Sequence, residues 1–305
     1  MLQHAKVSYR LMKSSIILIC NPAAKSMSGA KIEKARRLLE QKDYRVELFL
    51  TKQRGEAEQL AKDAAKRAPA VIIAAGGDGT FNEVANGIAG SEIPMAILPL
   101  GTTNVLAKEL CIPDTVEGAL EVALKKTPKS VSLGRIAIIR DASPVSRYFI
   151  LMAGVGFDGE TVFGINETFK KISGKGAYLY SGLKTLLRFA PEKLAVTVDR
   201  KTYTAYSVIV GNASKYGGHF KVTPDARLTE PILHVCLFKG RKRFDTFRYI
   251  LGIVTGSHLK FADVEYLQAE QIAIKGSAHI QIDGDYFGMT PAEISIVPNA
   301  LRLVF

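Results

Sequence analysis

"VIIAAGGDGTFNEVANG", residues 71–87, decides how the chain reads. Five apolar residues, Val71–Ala75, run into Gly76, Gly77, Asp78, Gly79 and Thr80, and a helical pattern follows. A strand, a glycine turn and a helix in that order bring backbone amides and the positive end of a helix to one point, where an anion binds. The spacing is neither the dinucleotide-binding G-x-G-x-x-G nor the G-x-x-x-x-G-K-[ST] loop. Asp78 is the odd residue. At ~4 Å a carboxylate and a phosphate repel by roughly 4 kcal/mol at an effective dielectric of about 20. Two readings remain open. Either Mg²⁺ or a proton sits between carboxylate and phosphate, or Asp78 caps a tight turn. On the metal reading, Asp78→Ala abolishes activity and leaves the fold intact.

Outward from this stretch, strand and helix alternate. Ile16–Cys20, Val46–Leu50, Val71–Ala75 and Met95–Leu98 read as strands. Lys31–Gln41, Ala57–Arg67, Phe81–Ile88 and Val116–Leu124 read as helices. Such alternation builds a parallel sheet covered by helices on both faces. "NPAAKSMSGAK" (21–31) and "PLGTTN" (99–104) follow strands of the same sheet, so three small-residue loops converge on its carboxyl edge, where ligands bind. Beyond Pro128 short β-branched and aromatic segments take over, Tyr148–Ala153, Ile294–Val297 and Leu301–Phe305 among them, with Gly, Pro and Asn between them. Helical stretches interrupt at Ala177–Phe189 and Phe244–Thr255. The expected architecture is an α/β nucleotide-binding domain over 1–130 and a β-rich sandwich domain over 131–305, whose last residues return to the first. The active site is expected in the cleft between them.

The 305 residues are 47% hydrophobic and carry a net charge of +12. The longest apolar stretch, near Tyr148–Phe157, is about half the roughly 20 residues of a spanning helix. Ile16–Cys20 is too short for a signal-peptide core, and the residues before Met12 read as a loose tail. Cys20, Cys111 and Cys236 lie far apart in apolar segments, which suggests buried thiols in a reducing cytoplasm. The positive charge favours phosphate-bearing partners, yet no nucleic-acid-binding motif accompanies it. An acidic membrane surface, engaged peripherally, is sufficient. A homodimer is compatible with all of this.

Taken together, Asn21-Pro22, Thr51, "GGDGTFNEV" (76–84), "PLGTTN" (99–104), "GVGFDGE" (154–160), "GNASKYGG" (211–218) and "IDGDYFG" (282–288) resemble the diacylglycerol kinase-like lipid kinases of bacteria. That family is related to sphingosine kinases and more distantly to NAD kinases and phosphofructokinases. The matches keep the family's order over nearly the whole chain. The resemblance implies an ATP-dependent kinase that passes the γ-phosphoryl group of Mg-ATP to a lipid hydroxyl, such as that of diacylglycerol. It implies ATP contacts from Asn21, Pro22 and Lys25, from Thr51, from Gly76, Gly77, Asp78, Gly79, Thr80 and Asn82, and from Thr102 and Asn104, with Asp78 also on the metal. It implies a proton acceptor at Asp285, where this chain has D-G-D in place of the family's D-G-E. It also implies a structural Mg²⁺ held by Glu230 and the carbonyls of Arg227 and Ile232, although Thr229-Glu230-Pro231 replaces the usual Asp-Asp-Gly. Local sequence alone reads Asp283-Gly284 as a tight hairpin turn, which is compatible with a base at Asp285.

Two alternatives stand beside that reading. An NAD kinase-like phosphotransferase would use an Asn-Glu pair, which Asn166-Glu167 supplies in unlike surroundings. A non-catalytic nucleotide- or lipid-binding regulator would explain the departures at 230–231 and 285. Asp158 reads equally as loop architecture and as substrate contact. The leucines of Ala177–Phe189 read as core, His219 as a loop residue, and His234 as a solvent-facing strand residue.

Overall fold

The computed structural model describes residues 13–24, 28–164 and 191–305. The first half runs β1 (Lys13–Cys20), α1 (Gly29–Glu40), β2 (Tyr44–Leu50), α2 (Glu56–Ala65), β3 (Val71–Gly76), α3 (Asp78–Ile88), β4 (Pro94–Pro99), α4 (Val105–Glu109) and α5 (Val116–Lys125). Every residue of β3 is buried, as a strand with helices on both its faces requires. Helices α1 and α2 each turn a stripe inward, Ile32, Ala35 and Leu39 on one and Ala57, Ala61 and Ala64 on the other. The strands pair in parallel in the order β2-β1-β3-β4.

The second half runs β5 (Pro128–Arg140), β6 (Ser143–Phe149), β7 (Met152–Val155), α6 (Phe157–Phe163), β8 (Leu194–Val198), β9 (Lys201–Ala205), β10 (Ser207–Gly211), β11 (Lys215–Tyr216) and β12 (Phe220–Lys221). It continues through β13 (Leu233–Phe238), α7 (Arg243–Thr255), β14 (Val264–Ala269), β15 (Gln271–Lys275), β16 (His279–Ile282), β17 (Asp285–Met289) and β18 (Ala292–Val304). One antiparallel sheet has the order β14-β13-β10-β7-β16-β17. Opposite it lie β5, β6, β8, β9, β15 and the first part of β18. Their inward residues share one apolar core, including Ile136, Phe149, Val155, Val196, Val210, Val235, Ile274 and Ile294. This is an α/β domain followed by an antiparallel β-sandwich.

Strand β18 joins the two halves. Its start pairs antiparallel with β5 and β15, and its end, at Arg302 and Leu303, pairs parallel with Pro94 and Met95 of β4. The sequence split β18 into Ile294–Val297 and Leu301–Phe305 because Pro298 and Asn299 look like a turn. A register shift at Val297/Leu301 absorbs them. Tyr148–Ala153, expected as one strand, divides between β6 and β7, and α4 and α6 are helices too short to show a period. Ala177–Phe189 and residues 1–11 lie outside the described residues. Cys20 and Cys236 are buried, and burial pushes both thiols up to about 12. Cys111 is exposed, against expectation, at a positive-φ position (φ 55°) just after α4. His234 is buried, not solvent-facing, with Nδ1 2.8 Å from the Tyr266 hydroxyl.

Close packing of α2 on α3 sets the position of the glycine turn. A Cβ on Gly87 would lie 2.5 Å from the Glu58 carbonyl oxygen. Gly87→Ala is therefore expected to lower unfolding free energy by about 1–3 kcal/mol, the usual cost of overpacking; denaturant titration measures it, and an unchanged midpoint would show that the two helices separate freely.

Candidate active site

Strand β3 ends at Gly76 and α3 begins at Asp78, so Gly77 alone makes the turn. The sequence placed the helix start at Phe81; the first turn actually contains Asp78, Gly79 and Thr80. The Asp78 carboxylate accepts from the Val105 amide (Oδ2, 3.0 Å) and the Leu106 amide (Oδ1, 3.0 Å). These are the opening amides of α4, which have no partner within their own helix. Asp78 therefore caps a helix in the next loop rather than its own turn, and it is not a bare charge. Burial pushes its pKa up, opposed by the two amides and by Lys108. Alanine at 78 strands both amides, so Asp78→Ala is expected to cost stability as well as activity.

The loops after β1, β2, β3 and β4 meet here. Gly77 and Gly101 pack backbone to backbone: a Cβ on Gly101 would lie 2.5 Å from the Gly77 Cα. Asn104 holds its loop closed, with Oδ1 accepting from the Gly101 amide at 3.0 Å and Nδ2 donating to the Gly101 carbonyl at 3.2 Å. Asn21 donates to Thr80 Oγ1 at 3.4 Å and accepts from the Ala23 amide at 2.9 Å, which wraps the chain around Pro22. The Thr51 amide donates to the Cys20 carbonyl at 2.9 Å, and Thr102 is exposed on its loop. Lys25 lies outside the described residues.

Asn82 departs from its expected part. Its Nδ2 donates to the Tyr148 carbonyl (3.0 Å) and Asp283 Oδ2 (2.8 Å), and its Oδ1 accepts from Asn86 (3.1 Å) and Arg147 Nε (3.1 Å). Two donors and two acceptor positions are all an amide side chain has, so none is left for a nucleotide. Asn82 instead ties α3 to the D-G-D hairpin. Asp283 completes the tie, accepting from Asn82 and Ile150 N on Oδ2 and from Leu151 N and Met152 N on Oδ1, at 2.8–3.0 Å. Burial raises its pKa while the four donors oppose the rise. The hairpin so held sets Asp285 against the glycine turn: a Cβ on Gly79 would lie 3.5 Å from Asp285 Oδ2. The same oxygen is 2.9 Å from Arg54, which follows β2.

The family model described as diacylglycerol kinase catalytic domain matches residues 15–136. The one described as YegS C-terminal NAD kinase beta sandwich-like domain matches residues 152–305. The chain belongs to the diacylglycerol kinase-like lipid kinase family. The diacylglycerol kinase of Bacillus subtilis (strain 168) is 29% identical over 261 residues, covering 83% of this chain and 84% of its own. That of Staphylococcus aureus (strain JH9) is 28% identical over 290 residues, 92% of this chain and 89% of its own. A solved structure from Bacillus anthracis str. Sterne superposes with a TM-score of 0.78 at 23% identity, over 99% of this chain and 98% of that one, a likeness of fold.

In this lipid kinase a second feature lies beside the hairpin. A cavity of about 250 Å³, walled mainly by apolar side chains such as Phe157, Ile209, Phe238 and Ile253, opens between α6, α7 and the sheet carrying β10. Among the described residues, Asp158 is the one carboxylate in its wall. It accepts from the Tyr216 hydroxyl on Oδ1 and from Gln281 Nε2 on Oδ2 (2.5 Å). Gln281 Oε1 in turn accepts from the Gly284 amide at 2.7 Å, next to Asp285. Sequence reasoning missed Asp283 and Gln281, because a turn aspartate and a strand glutamine give no local sign of such partners.

The structural metal does not fit. Glu230 Oε1 turns toward Arg227 Nε at 3.6 Å, and the Arg227 carbonyl accepts from the Glu230 amide at 3.0 Å. A guanidinium thus stands beside the carboxylate expected to hold the cation with the Arg227 and Ile232 carbonyls. Among the described residues no group of three or more His, Cys, Asp or Glu is arranged as a metal site. Asn166-Glu167 lies outside the described residues, and His219 is exposed.

An unpaired buried polar group costs about 1–3 kcal/mol. Asp283→Ala strands three amides and the Asn82 side chain, so unfolding free energy is expected to fall by at least about 4 kcal/mol, against at least about 2 kcal/mol for the two amides that Asp78→Ala strands. Urea titration of the two variants tests the order; an Asp283 variant as stable as the wild type would refute the tie.

Proposed function

We propose that this lipid kinase transfers the γ-phosphoryl group of ATP to the hydroxyl of diacylglycerol or a lipid of that class, with Asp285 as the proton acceptor. The observation that carries this reading is the approach of the Asp285 carboxylate to Gly79 of the glycine turn. A base from one domain thereby faces the phosphate cradle of the other. The apolar cavity adds the second substrate. An acyl chain in it would leave its hydroxyl near Asp158, and the chain Asp158–Gln281–Gly284 runs from there to the base. The names of the relatives support diacylglycerol as acceptor.

The glycine turn, the Thr102 loop, Asn21 and Thr51 would cradle the phosphates through amides and hydroxyls. Mg²⁺ bound with ATP supplies charge neutralisation. Each Asp78 oxygen keeps acceptor capacity beyond its amide bond, and Asp78 would hold the ion. Arg54, paired with Asp285 in the absence of nucleotide, would exchange that carboxylate for an incoming phosphate and free the base. Asp285 then takes the hydroxyl proton as the new O–P bond forms and ADP leaves. The partner surface in this reading is an acidic membrane in the cytoplasm, met peripherally. No helix among the described residues is long and apolar enough to cross one.

Asp285→Asn should lower turnover with ATP and dispersed diacylglycerol by about 10²-fold or more, the scale of a general base, with ATP affinity nearly unchanged, and Asp285→Glu should restore part of it. Phosphatidic acid formation is the readout. Wild-type turnover by the Asn variant would remove Asp285 from the reaction.

Asp158 gives a pH test. Burial raises its pKa, against the pull of Tyr216 and Gln281. A carboxyl whose folded pKa is raised contributes stability that is full below its unfolded value, about 3.9, and is lost as pH rises through the folded value. Asp158→Asn removes that dependence. The Tm of the wild type relative to Asp158→Asn should therefore climb as pH falls from 7 toward 4; a difference that stays flat would mean the carboxyl titrates normally.

A further inference from the structure

Helix α7 wears an apolar side outward. Phe244, Phe247, Leu251 and Val254 are 71%, 45%, 48% and 51% exposed. Their spacing of three, four and three residues sets them on one face. The inward face carries the buried Thr246, Tyr249 and Gly252, with Tyr249 against Phe238 and Phe261 and Ile253 on the same core. The Tyr249 hydroxyl donates to Asp263 Oδ2 at 2.6 Å and accepts from the Gly240 amide at 2.7 Å, and Arg248 pairs with Asp263. A helix packed on a core by one face normally turns polar residues, not a second apolar stripe, to the other.

Charge surrounds the stripe. Arg241, Lys242 and Arg243 are exposed at its N-terminal end, Lys260 beyond its C-terminal end, and Lys221 on neighbouring β12. Between Lys239 and Lys260 the sequence holds a single acid, Asp245, which is half-buried and accepts from the Lys242 amide at 2.9 Å. The stripe also runs into the cavity: Val254 belongs to both, Ile250 and Ile253 of the same helix line the cavity, and so does Phe220, itself 41% exposed.

The geometry points to α7 as the element that docks this protein on an acidic lipid bilayer, lying in the plane of the interface. An outward apolar stripe rimmed by Lys and Arg is what such a surface binds, apolar side chains entering the acyl boundary and cations meeting anionic headgroups. Thirteen residues make a helix about 20 Å long, a footprint of several lipids. A diacylglycerol molecule would then slide from the bilayer along Val254 into the cavity without its chains crossing water. The assignment rests on the lipid-kinase reading only for what enters the cavity; docking itself stands on the helix.

The test is co-sedimentation with vesicles of equal parts phosphatidylglycerol and phosphatidylcholine, using Phe244→Ser/Leu251→Ser and, separately, Arg241→Gln/Lys242→Gln/Arg243→Gln. Neither set touches the cavity lining or the catalytic groups. Both sets should keep the wild-type thermal melt and, on short-chain diacylglycerol dispersed as monomers, turnover within about twofold of wild type. The apolar pair should lose at least about tenfold in vesicle partitioning. The basic triple should lose binding to the acidic vesicles and flatten its salt dependence. Partitioning unchanged in the apolar pair overturns the proposal. So does a wild-type dimer in sedimentation velocity that the apolar pair dissociates, which would make the stripe a protein interface. So does equal wild-type binding to pure phosphatidylcholine at low salt. If the wild type phosphorylates no lipid while the apolar pair still loses vesicles, the proposed function fails and the docking helix stands.

Discussion

One carboxylate holds the candidate site together. Asp283 gathers four donors, three from the backbone at the passage from β6 into β7 and one from Asn82 near the glycine turn. Each contact alone is modest, but all four converge on a buried group that cannot be left partly satisfied. That requirement fixes the distance between the α/β domain and the hairpin. The placement of Asp285 against Gly79 follows from it, and so does the path through Gln281 to Asp158. Arg147 reinforces the junction, bonding Asn82 with one nitrogen and Glu58 of α2 with another.

The glycine turn obeys a similar economy. Asp78 ties α3 to α4, while the backbone contact between Gly77 and Gly101 brings two loops closer than any side chain would allow. The cradle is rigid because its walls hold each other, and a rigid cradle loses little on binding a flexible polyphosphate. Electrostatics then separates two carboxylates in one cleft. Asp78 is buried with its charge answered by amides. The Asp285 side chain is 37% exposed and answered by Arg54, a long surface side chain that can be exchanged. That difference suits Asp78 to a fixed place in the cradle and Asp285 to exchanging its partner during the reaction.

Glu230 illustrates how a familiar constellation is lost. A carboxylate survives at that position, but its neighbour Arg227 supplies the positive charge from a side chain. With Thr229-Glu230-Pro231 at this stretch, the one carboxylate present faces a guanidinium.

Much of this was legible before any coordinates. The alternation of buried strands and amphipathic helices, the convergence of loops after successive strands, the β-rich second half and the D-G-D turn are local patterns, and local patterns write themselves into periodicity and turn residues. Short helices such as α4 and α6 were not legible, because fewer than two turns show no period. Nor was the use of individual polar side chains. Asp78 finds its amides 27 and 28 positions away, and Asn82 finds Asp283 at a separation of 201. The sequence by itself determined which residues form the turn, the cradle loops and the hairpin. Only the tertiary structure decided that Asp78 caps a distant helix, that Asn82 is fully spent in the domain junction and that α7 turns an apolar face outward. The physical reason is that hydrogen-bond partnership and burial depend on what the rest of the chain brings alongside, and one-dimensional spacing carries no record of it.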